Sequence, residues 1–458
     1  MTNARVKSPP PPHYPQLIGH WRALIQAVLR IAGERLSQEG PRLVRRTRVV
    51  RESASTHRFE EEEVPDFSMA LFRAFGELQS LPESRMVSEY LRSNRKLGAR
   101  VMADAAGNPI VAEEARLHWL TNFYTLPFTL RYIGASGDVR FDESRFSELY
   151  SQLEAYISEN EITYKTIAPL QNFDGPAKPL RLGSATALRP LTDIELQYAW
   201  NVGEYGGLVD RHSALGWGFC LDITRKEKKN LPLDMGTENR IARNVLTALR
   251  LLRNGAVGIS VIFRSAVDAP YGIAGGSNMT SGLSLPRVGS TYTLSPDHVG
   301  SLLRMLKAVD KVPDKSAIRV ALDRFNYAYD RRRLHDRVVD EWVALEALFL
   351  PTQEQELRFR AALRISYFAG NDAVARRRLF TLAKDSYDLR SWIVHGESEP
   401  KKGKPTWTPQ RVGEVAAETE ELVRNILRLC VLNPGEPCVD QLDASIVAGE
   451  TYLLKERP

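Results

Sequence analysis

The helical spacing of apolar residues after residue 297 restricts the fold more than any other feature of this 458-residue chain. Three stretches place apolar residues at helical steps: Val338, Trp342, Leu345 and Phe349; Leu357, Ala361, Ile365 and Phe368; Val412, Val415, Leu422, Ile426 and Leu429. Amphipathic helices joined by short loops bury their apolar faces against one another. The sequence therefore predicts an all-α bundle for residues 297–435, followed by a C-terminal tail over residues 436–458.

Residues 17–296 have a different, mixed pattern. Helical spacing is found in 17–38, 142–160 and 237–254. Short β-branched or aromatic runs bounded by Gly and Pro are typical of strands, and they predict strands at 123–133, 162–170, 180–191, 216–226 and 256–267. The predicted fold class is therefore α+β, with a mixed α/β region of one or more domains before the helical bundle. A flexible, proline-rich segment over residues 1–16 precedes both.

Composition excludes several classes of protein. Hydrophobic residues make up 43% of the chain and charged residues 26%, and no run approaches the roughly 18 apolar residues of a membrane span. The N-terminus lacks the apolar core of a secretory signal, so we expect a cytoplasmic protein with no membrane contact. Three cysteines without CxxC spacing and eight histidines without an HxxxH pair predict no disulfide framework, no metal and no cofactor.

Two segments before residue 297 have features of phosphate-binding sequences. Residues 1–58 hold eleven Lys and Arg against three Glu, a net charge of +8, with the densest run at 41–51. Such a run can contact phosphates, or it can be a solvated helix face or strand edge, which is the favoured interpretation. The Gly- and Ser-rich stretch 269–286 lacks the lysine and the spacing of nucleotide-binding loops, so we interpret it as a mobile loop.

Inside the predicted bundle, residues 387–396 read YDLRSWIVHG. A set of apolar residues would hold this helix in the core: Leu389, Trp392, Ile393 and Val394. Arg390 and His395 interrupt that run five positions apart, directly before Gly396. Histidine titrates near neutrality and can take the proton of a ribose 2′-OH. Arginine stays charged and can stabilise the charge that builds on a phosphate during RNA cleavage.

Helix geometry limits how these two residues can cooperate. Five helical residues turn the chain by about 500°, so Arg390 and His395 lie about 140° apart on an ideal helix. Gly396 fits the position after a helix end, so we expect the helix to unwind at His395 and the Arg390 side chain to reach toward it. In an alternative without function, His395 interacts with the helix dipole while Arg390 binds Glu346 on the facing helix.

The segments DRVVDEWVALEALFLP, ELRFRAALRISYFAG and YDLRSWIVHG together resemble the HEPN superfamily, and more closely its Apea-like group, which is known from bacterial antiphage proteins. The family signature is an arginine, four to six residues, then a histidine, matched here by Arg390 and His395. The resemblance covers roughly residues 320–430. It implies an HEPN-like bundle and a metal-independent endoribonuclease that leaves 2′,3′-cyclic phosphate and 5′-hydroxyl ends.

The resemblance also implies partners and a setting. RNA is the implied substrate, and the implied assembly is a homodimer through the HEPN domain, since one copy supplies only one arginine and one histidine. The setting is antiphage defence or a toxin-like stress response, in which the N-terminal region senses a phage or host trigger or restrains the nuclease. A non-catalytic dimeric HEPN module that binds nucleotide or RNA, or a scaffold, is the alternative.

Three further residues complete the predicted site. Glu346 lies within an apolar run, where an unpaired charge is costly, and is predicted to orient Arg390. Tyr387 can be a core residue or face the substrate, and the core interpretation is favoured. Ser391 occupies a position that is often Asn in other HEPN groups.

Overall fold

A computed structural model of the chain describes residues 13–40, 42–53, 56–66, 68–102, 108–134, 137–159, 161–205, 216–228, 236–266, 278–281, 289–351, 356–396 and 406–456. Residues 1–12 of the predicted flexible segment, and most of the glycine-rich stretch 269–286, lie outside these described residues. Within them, an N-terminal α/β region precedes a helical region, so the coarse fold class is confirmed. No helix in the described ranges is long and apolar enough to cross a membrane.

The first part of the α/β region is a helical unit with a core of its own. Its helices are α1 (Pro15–Glu39), α2 (Ser68–Arg73), α3 (Phe75–Ser80), α4 (Pro82–Ser93), α5 (Arg95–Val101), α6 (Glu113–Leu120), α7 (Leu126–Ile133) and α8 (Glu143–Ser158). The predicted stripe of α1 is confirmed, because Trp21, Leu24, Ile25 and Val28 are all buried.

The predicted strand at 123–133 is wrong. Residues Thr121–Thr125 form one π-helical turn, and α7 follows it directly. β-branched and aromatic residues favour strands locally. However, Phe128, Tyr132 and Ile133 recur at helical spacing and are buried in the helical core. Packing of that face outweighs the local preference for a strand.

The basic segment forms one strand of a two-stranded antiparallel ribbon, in which β1 (Arg42–Arg51) pairs with β2 (His57–Asp66). Three arginines of β1 lie opposite glutamates of β2: Arg45 and Glu63, Arg46 and Glu62, Arg48 and Glu60. The ribbon docks on α9 (Asp193–Tyr205), where Gln197 accepts the Val49 N–H at 2.8 Å and donates to the Thr47 carbonyl at 3.0 Å. Cross-strand opposite charges stabilise the ladder, and they partly neutralise the arginine run.

The second part of the α/β region is a six-stranded sheet in the order β5–β6–β7–β3–β8–β9. Its strands are β3 (Glu161–Leu170), β5 (Leu180–Arg181), β6 (Thr186–Pro190), β7 (Phe219–Lys228), β8 (Val261–Ala266) and β9 (Asn278–Ser281), paired antiparallel. A short parallel pair joins β4 (Phe173–Asp174) to β10 (Tyr292–Thr293). Helix α10 (Gly236–Leu252) lies between β7 and β8 in sequence and shares its core with the sheet.

The described chain after β10 is helical, as its apolar spacing predicts. A 3₁₀ turn (Pro296–His298) leads into α11 (Val299–Asp310), α12 (Ala317–Asp330), α13 (Leu334–Phe349), α14 (Leu357–Ala369), α15 (Ala373–His395), α16 (Pro409–Leu432) and α17 (Val439–Ala448). Residues from each predicted stripe are buried: Val338, Trp342, Leu345, Phe349, Ala361, Ile365, Phe368, Val412, Leu422 and Ile426.

One hydrophobic cluster joins the sheet to the helical region. It includes Leu170 of β3, Leu221 of β7, Leu249 of α10, Trp342 of α13 and Ile426 of α16. The predicted boundary at residue 297 therefore separates two kinds of secondary structure and not two hydrophobic cores.

Residues 436–458, predicted as a tail, are folded over their described part. They contain α17, and Tyr452 is buried in the same cluster as the helices. Asn433 donates a side-chain hydrogen bond to the Glu456 carbonyl at 2.7 Å and accepts the Glu456 N–H at 2.8 Å. Glu456 is thus attached to the C-terminus of α16.

Two buried arginines cross the junction between α10 and the C-terminal helices. Arg250 of α10 binds Asp330 of α12 at 3.1 Å. Arg424 of α16 donates to the Arg250 carbonyl at 3.0 Å and to Glu420 at 2.6 Å. Burial alone would lower the pKa of Arg424, but Tyr329 and two glutamates outweigh burial and raise that pKa. Arg424 is therefore a paired, charged group within the shared core.

The three cysteines are free thiols with unequal environments. Burial raises the pKa of Cys220 to about 12 and raises the pKa of Cys430 above its usual value. The thiolate is the reactive form of cysteine, so at pH 8 we expect iodoacetamide to modify half-buried Cys438 well before the other two. Intact mass against time checks this, with all three cysteines reacting in denaturant as the control. Rapid native labelling at Cys220 or Cys430 would contradict the burial.

Candidate active site

Helix α15 carries the Arg390 and His395 motif at its C-terminal end. It begins after Asp372, whose carboxylate accepts the Ala375 N–H at 2.8 Å. It ends at Gly396, which has φ 60° and ψ 30°. This left-handed conformation favours glycine, which is why the helix stops here. His395 is therefore the last residue of the helix.

The apolar residues of the motif anchor α15 unequally. Leu389 is fully buried, and Trp392 and Ile393 pack against the same core while partly exposed. Val394 is 51% exposed, so its predicted place in the core is wrong. At about 100° per residue, Val394 lies roughly 140° around the helix from Leu389, which turns it away from the core.

Arg390 is held against the neighbouring helix α13. Its Nη2 lies 3.5 Å from Oε1 of Glu346, with the two side chains 23% and 27% exposed. Its guanidinium carbon is 5.9 Å from the centre of the Tyr387 ring, and Tyr387 meets Trp342 of α13 edge-on at 5.0 Å. Among the described residues, Arg390 Nε is buried and has no hydrogen-bond partner. Arg390 is therefore held against α13 by a long ion pair with Glu346, and its side chain stays partly exposed.

His395 is exposed at the end of α15 and stands apart from this group. The Arg390 guanidinium contacts Tyr387, three residues before Arg390, whereas His395 comes five residues after it. Eight residues of helix correspond to about 12 Å along the axis. The Arg390 guanidinium is near Glu346 and Tyr387, and the expectation that it reaches toward His395 within one chain stays a prediction.

The other two predicted residues of α15 are Tyr387 and Ser391. Tyr387 is half-buried between Trp342 and Arg390, and Ser391 is half-buried on the same helix. His335, which the sequence interpretation did not select, lies edge-on to Trp392 with ring centres 5.8 Å apart. The signal that could have found it is the run RRRLH (331–335), a cluster of cations just before the helix that carries Glu346.

The Glu346–Arg390 pair contributes little to the stability of the fold. Both side chains are partly exposed and 3.5 Å separates the charged atoms. Exposed ion pairs contribute about 0–1 kcal/mol, so we expect Glu346→Gln to change the free energy of unfolding by less than about 1 kcal/mol. Urea unfolding of the variant measures this value. A loss of several kcal/mol would show that the pair is structural.

Taken together, the side chains offer a cation that can bind phosphate and an exposed imidazole that can exchange a proton. Within the described residues, no group of three or more His, Cys, Asp or Glu side chains is placed to hold a metal ion. One chain presents these two functions at separated points of α15. Two copies of the chain could also combine the two functions on one phosphate, one residue from each copy.

No protein-family model matches the chain, no curated protein matches it, and no solved structure matches it. Its function is therefore inferred from the side chains of α13 and α15.

Proposed function

We propose that this protein is a metal-independent endoribonuclease of the HEPN type, with Arg390 and His395 as its catalytic residues. The observation that carries the proposal is the arrangement at the end of α15, where an exposed His395 follows a partly exposed Arg390 held beside Glu346. The likeness of residues 320–430 to the HEPN superfamily supports the same function. RNA is the proposed substrate.

The chemistry transfers a phosphoryl group within the RNA strand. His395 takes the proton of a ribose 2′-OH, and the 2′-oxygen forms a bond to the adjacent phosphorus. The bond from phosphorus to the 5′-oxygen breaks, and that oxygen receives a proton from a protonated imidazole. Arg390 stabilises the charge on the phosphate oxygens in the transition state. The products are a 2′,3′-cyclic phosphate and a 5′-hydroxyl end.

Two copies of the chain form the proposed working site. Within one chain the Arg390 guanidinium is paired with Glu346 and lies near the Tyr387 ring. In a homodimer whose HEPN-like helices face each other, Arg390 of one copy can meet the phosphate beside His395 of the other. His395 gains a proton in the first step and returns it to the 5′-oxygen, so one imidazole serves both proton transfers. Glu346 then acts as a positioning residue for Arg390.

The proposed setting is antiphage defence or a toxin-like stress response, with the N-terminal region sensing a trigger or restraining the nuclease. The contacts of Arg250 and Arg424 offer a physical route for such control. They connect α10, which packs with the sheet, to α12 and α16 of the helical region. A change at the sheet would therefore act directly on helices that support α15.

Incubation of the full chain with RNA in EDTA tests the proposal. We expect cleavage to continue without metal and to leave 2′,3′-cyclic phosphate and 5′-hydroxyl ends. A 5′-hydroxyl end accepts enzymatic 5′-phosphorylation, whereas a 5′-phosphate end resists it. Products with 5′-phosphate ends would contradict the mechanism. RNA binding without cleavage, lost in Arg390→Ala, would instead assign the site to a non-catalytic binding module.

A further inference from the structure

His335 and Trp392 lie next to the proposed catalytic residues and have no part in the chemistry above. Their rings meet edge to face, with centres 5.8 Å apart and planes at 86°. Trp392 comes three residues before His395, so these two side chains are neighbours on one face of α15, whereas Arg390 lies about 200° around the helix from Trp392. His335 is exposed and Trp392 is partly exposed. The pair thus offers aromatic surface to solvent on the side of α15 that carries His395.

Positive charge accompanies this aromatic surface. Arg332 and Arg333 are exposed in the segment that leads into α13, and His335 is in the first turn of that helix. Proteins that hold single-stranded nucleic acid combine cations along the backbone with aromatic rings on which bases stack. Both features occur here. Arg332 and Arg333 come two to three residues before His335, and Trp392 belongs to the helix that carries the catalytic motif.

We propose that His335 and Trp392 form a subsite for the base of the nucleotide next to the cleaved phosphate, with Arg332 and Arg333 along its backbone. This inference rests on the proposed ribonuclease function and adds the class of substrate. A base within a duplex is already stacked and paired, so a ring platform selects RNA that is single-stranded at the cleavage point.

A second histidine–aromatic pair provides a matched control. His118 of α6 is exposed and lies edge-on to Phe75 of α3, with ring centres 5.2 Å apart. It belongs to the N-terminal helical unit, far in sequence from α15. His118→Ala and His335→Ala therefore remove the same chemical group from similar surroundings, and only the second touches the proposed subsite.

Binding of a single-stranded 2′-O-methyl oligoribonucleotide, which has no 2′-OH to attack, separates this subsite from cleavage. His335→Ala removes one ring on which a base stacks. We therefore expect it to weaken binding about five- to tenfold, measured by fluorescence anisotropy. His118→Ala should bind like the unmodified protein. On cleavable single-stranded RNA, His335→Ala should raise KM by a similar factor and change kcat little. Duplex RNA should be bound equally by both variants.

The possible results test the subsite and the ribonuclease function separately. Binding and KM unchanged in His335→Ala would overturn the subsite and leave the ribonuclease function standing. A fall in kcat at unchanged binding would overturn base binding and place His335 in proton transfer. Binding without cleavage by the unmodified protein would overturn the ribonuclease function, while the His335→Ala binding result would still decide the subsite. No binding of single-stranded RNA at all would overturn both.

Discussion

Replacing His395 with alanine is expected to slow RNA cleavage by about 10²- to 10⁴-fold, the usual contribution of a general acid–base group. His395 is the last residue of α15 and is exposed to solvent. An exposed substitution of this kind changes stability by no more than about 0.5 kcal/mol. The loss of rate should therefore occur in a protein with unchanged circular dichroism and unchanged urea unfolding.

The matched control is His118→Ala, which removes an exposed imidazole from α6. It should cleave RNA at the rate of the unmodified protein. Equal rates for His395→Ala and the unmodified protein would exclude His395 as the proton-transfer group. A loss of rate that accompanies a loss of folded protein would show a structural role for the helix end.

Replacing Arg424 with leucine is expected to destabilise the protein by about 3–5 kcal/mol, the usual cost of removing one partner from a buried ion pair. Arg424 is 1% exposed, and it donates to Glu420 at 2.6 Å and to the Arg250 carbonyl at 3.0 Å. Leucine keeps apolar volume but supplies no donor, so both acceptors lose their hydrogen bond from Arg424 inside the core that joins α10 to α16. The denaturation midpoint should fall accordingly.

Arg304→Leu on the neighbouring helix α11 is the matched control, because Arg304 is exposed. Its unfolding free energy should stay within about 0.5 kcal/mol of that of the unmodified protein. Equal effects of the two substitutions would contradict the shared core. A large effect of Arg424→Leu alone would support the shared core that joins α10 to α16.

Sequence patterns predicted the elements whose cores are local. The stripe of α1 and the stripes of α13 and α16 are buried as their spacing indicates. The strand predicted at 123–133 is the exception. The run has a local preference for a strand, but it folds as helix because it packs in a core built from residues distant in sequence. The contact between Arg250 and Arg424 could not be predicted either, because a hydrogen bond between residues 174 positions apart produces no periodic pattern in the sequence.

The candidate site was partly predictable for the same reason. Arg390, His395 and Glu346 stand out as charged or titratable residues in apolar helical runs. The direction of the Arg390 side chain did not follow from spacing, since it depends on Glu346 and Tyr387 across a helix pair. His335 was missed because it meets Trp392 only when α13 packs on α15.

Mixing two inactive variants tests the central claim, which is that Arg390 and His395 cut RNA from different copies of the chain. Arg390→Ala and His395→Ala are each expected to be inactive alone, and native mass spectrometry of the mixture should show mixed dimers. Such a dimer retains Arg390 from one copy and His395 from the other, so the account predicts that the mixture cleaves RNA in EDTA. A mixture that forms mixed dimers and remains as inactive as each variant alone would contradict it.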